Sequence, residues 1–322
     1  SPAMLIEALL LRYEYKNAEI EIHEKNNSPG GSWKTSIVFQ KKCVETGSHI
    51  FAPWKSRYLY NQCSNILKKK FKLKLYFLKP KPLNISNYNI SKNELRKIKY
   101  YYIKGGSEKL LDFLLKIIKK NKIKIIYNSF IKQITLSKKK KKIQCNKINF
   151  LTDQVYIPYY CKINSNFFQE NKDYFLKDSA HILFRISSIY NFKKKISYIQ
   201  KVSFSKLFDR LSYLSDMINS DDHIFCLRLS EHYKNNLKKN KKLLINHIKK
   251  DLINFLQPEI KNKNDLKIKY KLIKYETSHR NKDQLKKLKV FAKKNKINLV
   301  DTSELIKYMS KNINRLKKLR KF

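Results

Sequence analysis

The chain has 322 residues and carries 72 lysines and arginines against 25 aspartates and glutamates, a formal charge of +47. No apolar run reaches the roughly eighteen residues that a membrane-crossing helix needs, which excludes one. Five scattered cysteines (Cys43, Cys63, Cys145, Cys161 and Cys226), odd in number and without a CxxC pair, argue against a disulfide framework or a zinc ribbon and fit a reducing cytoplasm.

The charge is a poor guide to partners. Only nine basic residues are arginine, the side chain best suited to phosphates and base edges. The lysine excess accompanies an excess of Asn, Ile and Tyr and a scarcity of Gly, Ala and Pro, the skew of an AT-rich genome. Nucleic acid is therefore not the expected partner, and contact with an anionic membrane surface stays open.

In chain order, Pro2 to Tyr15 is expected to be a helix, apolar nearly all round and buried on most sides. Ala18 to Lys25 alternates, with Ala18, Ile20 and Ile22 on one face and Glu19, Glu21 and His23 on the other, as a half-buried strand does. The strand ends at Glu24, Asn26 to Pro29 turns the chain, and the pair Gly30-Gly31 follows. Two short strands come after Trp33, then a helix over Tyr58 to Phe71. Tyr76 to Ser91, with Pro80 and Pro82, is extended or irregular. Ser107 caps the clearest helix, whose stripe is Leu110, Leu111, Leu114, Ile117 and Ile118.

From Lys122 to Tyr159 the period becomes that of strands: IKIIYN, FIKQITL, KIQCN, NFLTD and QVYIPYY. The lysines from Lys138 to Lys142 form a solvated hairpin turn between the second and third. Residues 160–285 hold aromatic strands (HILFRISSIY, HIFCLRLS) and one helix, Lys241 to Leu256, while FDRLSYLSDM (Phe208 to Met217) is expected to be packing and loop. The strand INLV leads to Asp301-Thr302-Ser303-Glu304, a capping box opening a last helix to Lys321. Strands alternating with helices give an α/β class with a mixed-sheet region inserted.

An acid at the tip of a second strand suits a dinucleotide site. Its carboxylate accepts the ribose hydroxyl hydrogens while the preceding helix turns its N-terminus to the pyrophosphate. Counting about twenty residues back from Glu24 places the phosphate loop at Ser1 to Ala3 and just upstream. The expectation is an N-terminally truncated chain whose first strand lies outside these residues. The histidines show no metal-ligand spacing, so no metal site is expected.

Four stretches carry a resemblance: Glu24 with Gly30-Gly31; ETGSHIF (Glu45 to Phe51); Gly105-Gly106 with the helix and strand after it, to Ile131 and Ile134; and LTDQVYIPYY. Together they hold all five glycines of the chain: Gly30, Gly31, Gly47, Gly105 and Gly106. This pattern resembles the FAD-dependent amine oxidase and protoporphyrinogen oxidase superfamily, whose architecture UDP-galactopyranose mutases and Rab GDP-dissociation inhibitors share.

The resemblance implies an FAD/NAD(P)-binding Rossmann-like domain of the glutathione-reductase type, built from 1–75, 100–160 and 286–322. A mixed α+β substrate domain would come from 76–99 and 161–285. It implies FAD as cofactor, held by Glu24, Lys25, Gly30, Gly31, Ser32, Trp33, Gly47, Ser48, His49 and Ile131, and oxidation of a small molecule by hydride transfer. A mutase-like flavoenzyme and a non-enzymatic binding protein on the same fold are the alternatives, with a basic nucleic-acid or membrane-surface binder as the reading from outside it. The chain departs from the family in having Ser32-Trp33 after the paired glycines where Arg is common. It also has Val300-Asp301-Thr302 in place of a C-terminal Gly-Asp.

Overall fold

The computed structural model describes residues 1–34, 36–39, 42–45, 51, 56–78, 100–137, 140–146, 148–159, 177–192, 199–202, 205–230, 240–257, 269–277, 282–302 and 304–319. Gly47, Ser48 and His49 lie outside them.

Helix α1 (Pro2–Glu14) begins with proline at its first turn, where the missing N–H breaks no helical bond. It is buried along Leu5, Ile6, Leu9 and Leu10, and it even buries Glu7. A short connection leads to β1 (Glu21–His23), shorter than the alternation Ala18 to Lys25 foretells. β1 pairs in parallel with β6 (Lys124–Ile126). A second parallel pair joins β10 (Tyr156–Pro158) to β16 (Asn298–Val300).

Both pairs pack on one helical layer: α1, α2 (Arg57–Lys69), α3 (Ser107–Lys120), α7 (Leu305–Lys311) and α8 (Ile313–Lys318). The shared core takes Ile20 and Ile22 from the β1 side, and Tyr156 and Val300 from the other pair. Across from the helices lies an antiparallel meander of β7 (Ile131–Ser137), β8 (Lys140–Cys145) and β9 (Asn149–Thr152). Ile134 and Ile143 of the meander meet Ile157 of β10 and the stripe Leu285, Leu288 and Ala292 of α6 (Lys282–Lys294). β1, β10 and β16 are thus faced by helices on one side and by the meander on the other, the cover that parallel strands need.

Hairpin β2 (Ser36–Phe39) and β3 (Lys42–Glu45) follows the Gly30 turn, and β4 (Leu75–Leu78) pairs with β5 (Tyr100–Ile103). The remaining strands form a five-stranded antiparallel sheet in the order β12-β13-β14-β11-β15. These are β11 (Lys177–Ile186), β12 (Ile199–Lys201), β13 (Phe208–Tyr213), β14 (His223–Leu229) and β15 (Lys269–Thr277). One face, with Ile182, Phe184, Phe225 and Leu227, buries against α5 (Lys241–Leu256). The other, with Leu183 and Cys226, packs on Phe39 and Val44 of the β2–β3 hairpin. The short helix α4 (Ser215–Ile218) follows β13.

Four sequence expectations are corrected. Ser107 does not cap α3: it is the first helical residue, and its backbone N–H donates to the carboxylate of buried Glu45, which reaches in from β3. An acid there complements the positive end of the helix, as a local serine cap cannot. Lys140 to Lys142 are strand, not turn; Lys141 is buried, with its ammonium on the Asp153 carbonyl. FDRLSYLSDM is not loop: its first six residues are a strand of the five-stranded sheet, held between β12 and β14. The last helix is two helices, the first starting at Leu305 with no side-chain cap from Glu304 among the described residues. They part at Asn312, which donates its side-chain amide to the Tyr308 carbonyl, a local bond that competes with helix continuation.

Candidate functional site

Among the described residues, a cleft of about 1310 Å³ collects Glu24, Lys25, Gly30, Gly31 and Trp33 from one stretch of the chain and Ile131 from another. Ser32 sits in the same single 3-10 turn as Gly31 and Trp33. The volume exceeds the roughly 300–1,000 Å³ usual for small-ligand sites and leaves room for something larger.

Glu24 ends β1. Its amide donates to the Ile126 carbonyl (3.0 Å), its carbonyl accepts from Ser129 (2.9 Å), and one carboxylate oxygen accepts the Asn26 amide at 3.0 Å. The backbone is thereby fixed, and Glu24 lines the cleft. Because α1 runs back against β1, its N-terminal end also reaches the cleft, at Ser1 and Met4. Lys25 lies 5.9 Å from the Phe130 ring centroid.

The two glycines differ. Gly30 is buried at φ 125°, and a Cβ there would stand 2.7 Å from Leu111 Cδ1. Its need for glycine comes from the chain's own core. Gly31, at φ 55°, has nothing within 4 Å of a Cβ position and faces the void. Trp33 is tied by its carbonyl to the Ser107 hydroxyl (2.9 Å), and its ring tilts against Phe51. It serves the core and the cleft wall together.

The sequence reading missed a polar cluster on the outer face of β1. His23 stacks on Phe150 of the meander at 5.0 Å. Its Nδ1 lies 2.8 Å from Ser129 Oγ and its Nε2 lies 3.4 Å from Glu21, which also pairs with Lys124. The alternation did place Glu21 and His23 on one face; only the fold of the meander over that face supplies Phe150. Asp301 is buried, with Lys307 at 3.3 Å and Lys311 at 2.7 Å, while Thr302 beside it lines the cleft.

Burial lowers the pKa of His23 against the opposing pull of Glu21, and lowers that of His223 against its bond to the Tyr190 carbonyl. With folded values below the ordinary value of about 6.5, the unfolded chain takes up these protons first as pH falls. Stability is then lost from about pH 6.5 downward and fully present above it. The expected outcome is a lower urea midpoint at pH 5.5 than at pH 7.5, and a smaller difference in the double variant His23→Gln, His223→Gln.

Neither a protein-family model nor a curated protein matches the sequence. Solved structures do match in fold. A structure described as a protoporphyrinogen oxidase from Exiguobacterium sp. 255-15 aligns at 10% identity with a TM-score of 0.55, over 99% of this chain and 97% of that one. Putrescine oxidase bound to putrescine aligns at 9% identity and 0.56, over 98% and 95%. An oxidoreductase from Methanosarcina mazei aligns at 12% identity and 0.53, over 86% of each. The chain has an amine-oxidase-like fold. In that fold the cleft lies at the carboxyl ends of parallel strands, where open α/β sheets bind their ligands, and the sequence resemblance and the architecture agree. Among the described residues, no helix is long and apolar enough to cross a membrane.

Proposed function

We propose that the cleft is an FAD site and that the chain is an oxidoreductase acting on a small molecule. The observation that carries this reading is the convergence of Glu24, Gly31 and Ile131 on one void beside the start of α1. The residues fit the group. The Glu24 carboxylate, braced by Asn26, can accept two ribose hydroxyl hydrogens. Gly31 leaves open space where a pyrophosphate can approach the backbone, and Ile131 with Phe130 offers an apolar wall for a base. When bound, the flavin supplies the hydride acceptor, while the protein orients the reactants and excludes water. In the same reading, residues 1–75, 100–160 and 286–322 hold the nucleotide, and 76–99 with 161–285 cover the substrate.

The test is a titration of FAD with the purified chain, followed by quenching of flavin fluorescence. Saturable quenching is expected, and Glu24→Ala should raise Kd about tenfold or more, the cost of removing a hydrogen-bonded charge. Its thermal midpoint should stay close to that of the parent, because Glu24 sits at a solvent-facing strand end. Quenching that Glu24→Ala leaves unchanged would overturn the assignment of the acid. Flavin fluorescence that the parent chain never quenches would remove the cofactor.

A further inference from the structure

Arginine is scarce in this chain, nine of 72 basic residues, yet two of the nine stand opposite each other on neighbouring strands. Arg210 of β13 and Arg228 of β14 are register partners, so both side chains leave the five-stranded sheet on one face. His181 of β11 is the partner of Arg228 on its other side and completes the row. This is the face whose Leu183 and Cys226 pack on the β2–β3 hairpin, and Cys226 Sγ lies 3.5 Å from His181 Nδ1. The row has a sealed end and an open end. His181 is fully buried, while the Arg228 side chain is 35% exposed.

Like charges directly opposite each other destabilise a sheet. Asp209 relieves half of this conflict. The register of β13 shifts between Phe208 and Arg210, which leaves Asp209 out of the ladder, and bulges re-aim side chains in this way. Its carboxylate meets Arg228 as a fork, Oδ1 at 2.7 Å from Nε and Oδ2 at 2.9 Å from Nη2. With that acid committed, Arg210 is left over. Its Nε is buried and has no hydrogen-bond partner. Arg185 holds Asp222, and Arg315 holds Glu7 and Glu14; among the described residues no acid pairs with Arg210. A half-buried guanidinium without an acid, beside a second guanidinium, calls for an anion.

We propose that this face of the sheet binds a small organic acid, whose carboxylate is gripped by the terminal nitrogens of Arg210. The planar guanidinium matches a carboxylate with two parallel hydrogen bonds. The Arg228–Asp209 pair is the fixed neighbour that sets the position of the group. Charge selects a carboxylate over a phosphate. Asp209 already neutralises Arg228, so one positive charge is left over in the row, and a dianion would be repelled by the acid beside it. The site uses none of the residues on which the flavin reading rests, and a flavin titration that fails leaves it standing.

The experiment titrates the full chain with acetate, a carboxylate with almost no organic frame, at physiological salt so that the net charge is screened. Acetamide is the neutral match and inorganic phosphate the rival anion. Occupancy is read from nitrogen–proton correlation spectra, at the backbone amides of His181, Arg210 and Arg228. Saturable shifts with acetate and not with acetamide are expected. Arg210→Gln should raise the half-saturating concentration about tenfold or more, the loss of a charged hydrogen bond. Arg210→Lys should recover only part of it, since an ammonium has no fork. The thermal midpoint of Arg210→Gln should match or exceed the parent's, because an uncompensated charge has gone. Equal saturation by acetate in the parent and in Arg210→Gln overturns the proposal, as does saturation by phosphate at a lower concentration than acetate. So does a midpoint about 5 °C or more lower in Arg210→Gln, which would mean that the protein's own groups hold this guanidinium.

Discussion

Truncating Arg315 to alanine is expected to lower the unfolding free energy by about 3 kcal/mol, the scale of stranding a buried charge by removing its partner. The partner is Glu7, on the buried side of α1 and only 5% exposed. Arg315 of α8 reaches both its oxygens, at 3.0 and 3.1 Å, and grips Glu14 at 2.7 and 2.9 Å in a fork. Tyr308 donates its hydroxyl to Glu7 at 2.5 Å. Burial, and then the charge of Glu7, pushes the Tyr308 phenol up, so it stays a donor at any working pH. Without the guanidinium, the Glu7 carboxylate keeps one hydroxyl as its partner in an apolar layer, and desolvation outweighs that single bond. Arg315→Lys should recover only part of the loss, since an ammonium cannot present the planar fork. Glu7→Gln in the Arg315→Ala background should recover more, because the buried charge is then gone. Guanidinium unfolding of the four proteins decides the matter: a loss below about 0.5 kcal/mol for Arg315→Ala would show the network to be ornamental. Its consequence reaches the cleft, because the same ion pairs hold α1, which forms one wall, to the C-terminal helices.

Elements whose pattern is local were legible in the sequence. The stripe of α3 and the length of α5 follow from residues three or four apart in the chain. What the sequence hid is what distant segments decide. Ser107 looked like a cap, yet the capping acid is Glu45, sixty-two positions away, and no local rule finds such a partner. In β13, buried Ser212 blurs the alternation, and its neighbours β12 and β14 make the segment a strand. The apolar stripe of α6 lies among lysines that composition bias supplies in quantity, so its periodicity is diluted; only packing on the meander brings it out. The site divides the same way. Glu24, the turn and the glycine pair could be found because they lie within eight residues of one another. The stack of His23 on Phe150 could not, since it exists only once the meander closes over β1.

The paired glycines give the sharpest separation of structure from function. Gly30→Ala should destabilise the chain by about 3 kcal/mol or more. A backbone at φ 125° is nearly closed to side chains, a strain of about 1–3 kcal/mol, and the new methyl would lie 2.7 Å from Leu111, a core residue 2% exposed. Crowding of a packed core adds about 1–3 kcal/mol. Leu111→Ala in the Gly30→Ala background should relieve the crowding but not the strain, so the two losses should not add. Gly31→Ala is a different experiment. At φ 55° it enters the left-handed region at a cost of about 1–2 kcal/mol, with no atom in its way. Its methyl points into open cleft, so its main effect should fall on FAD affinity, with Kd raised at least about tenfold as the pyrophosphate is held off the backbone. Denaturation and flavin titration on the same two variants separate the cases. A Gly31→Ala chain that binds flavin as the parent does would mean that the nucleotide does not approach the turn there. A Gly30→Ala chain as stable as the parent would mean that Leu111 does not set that turn.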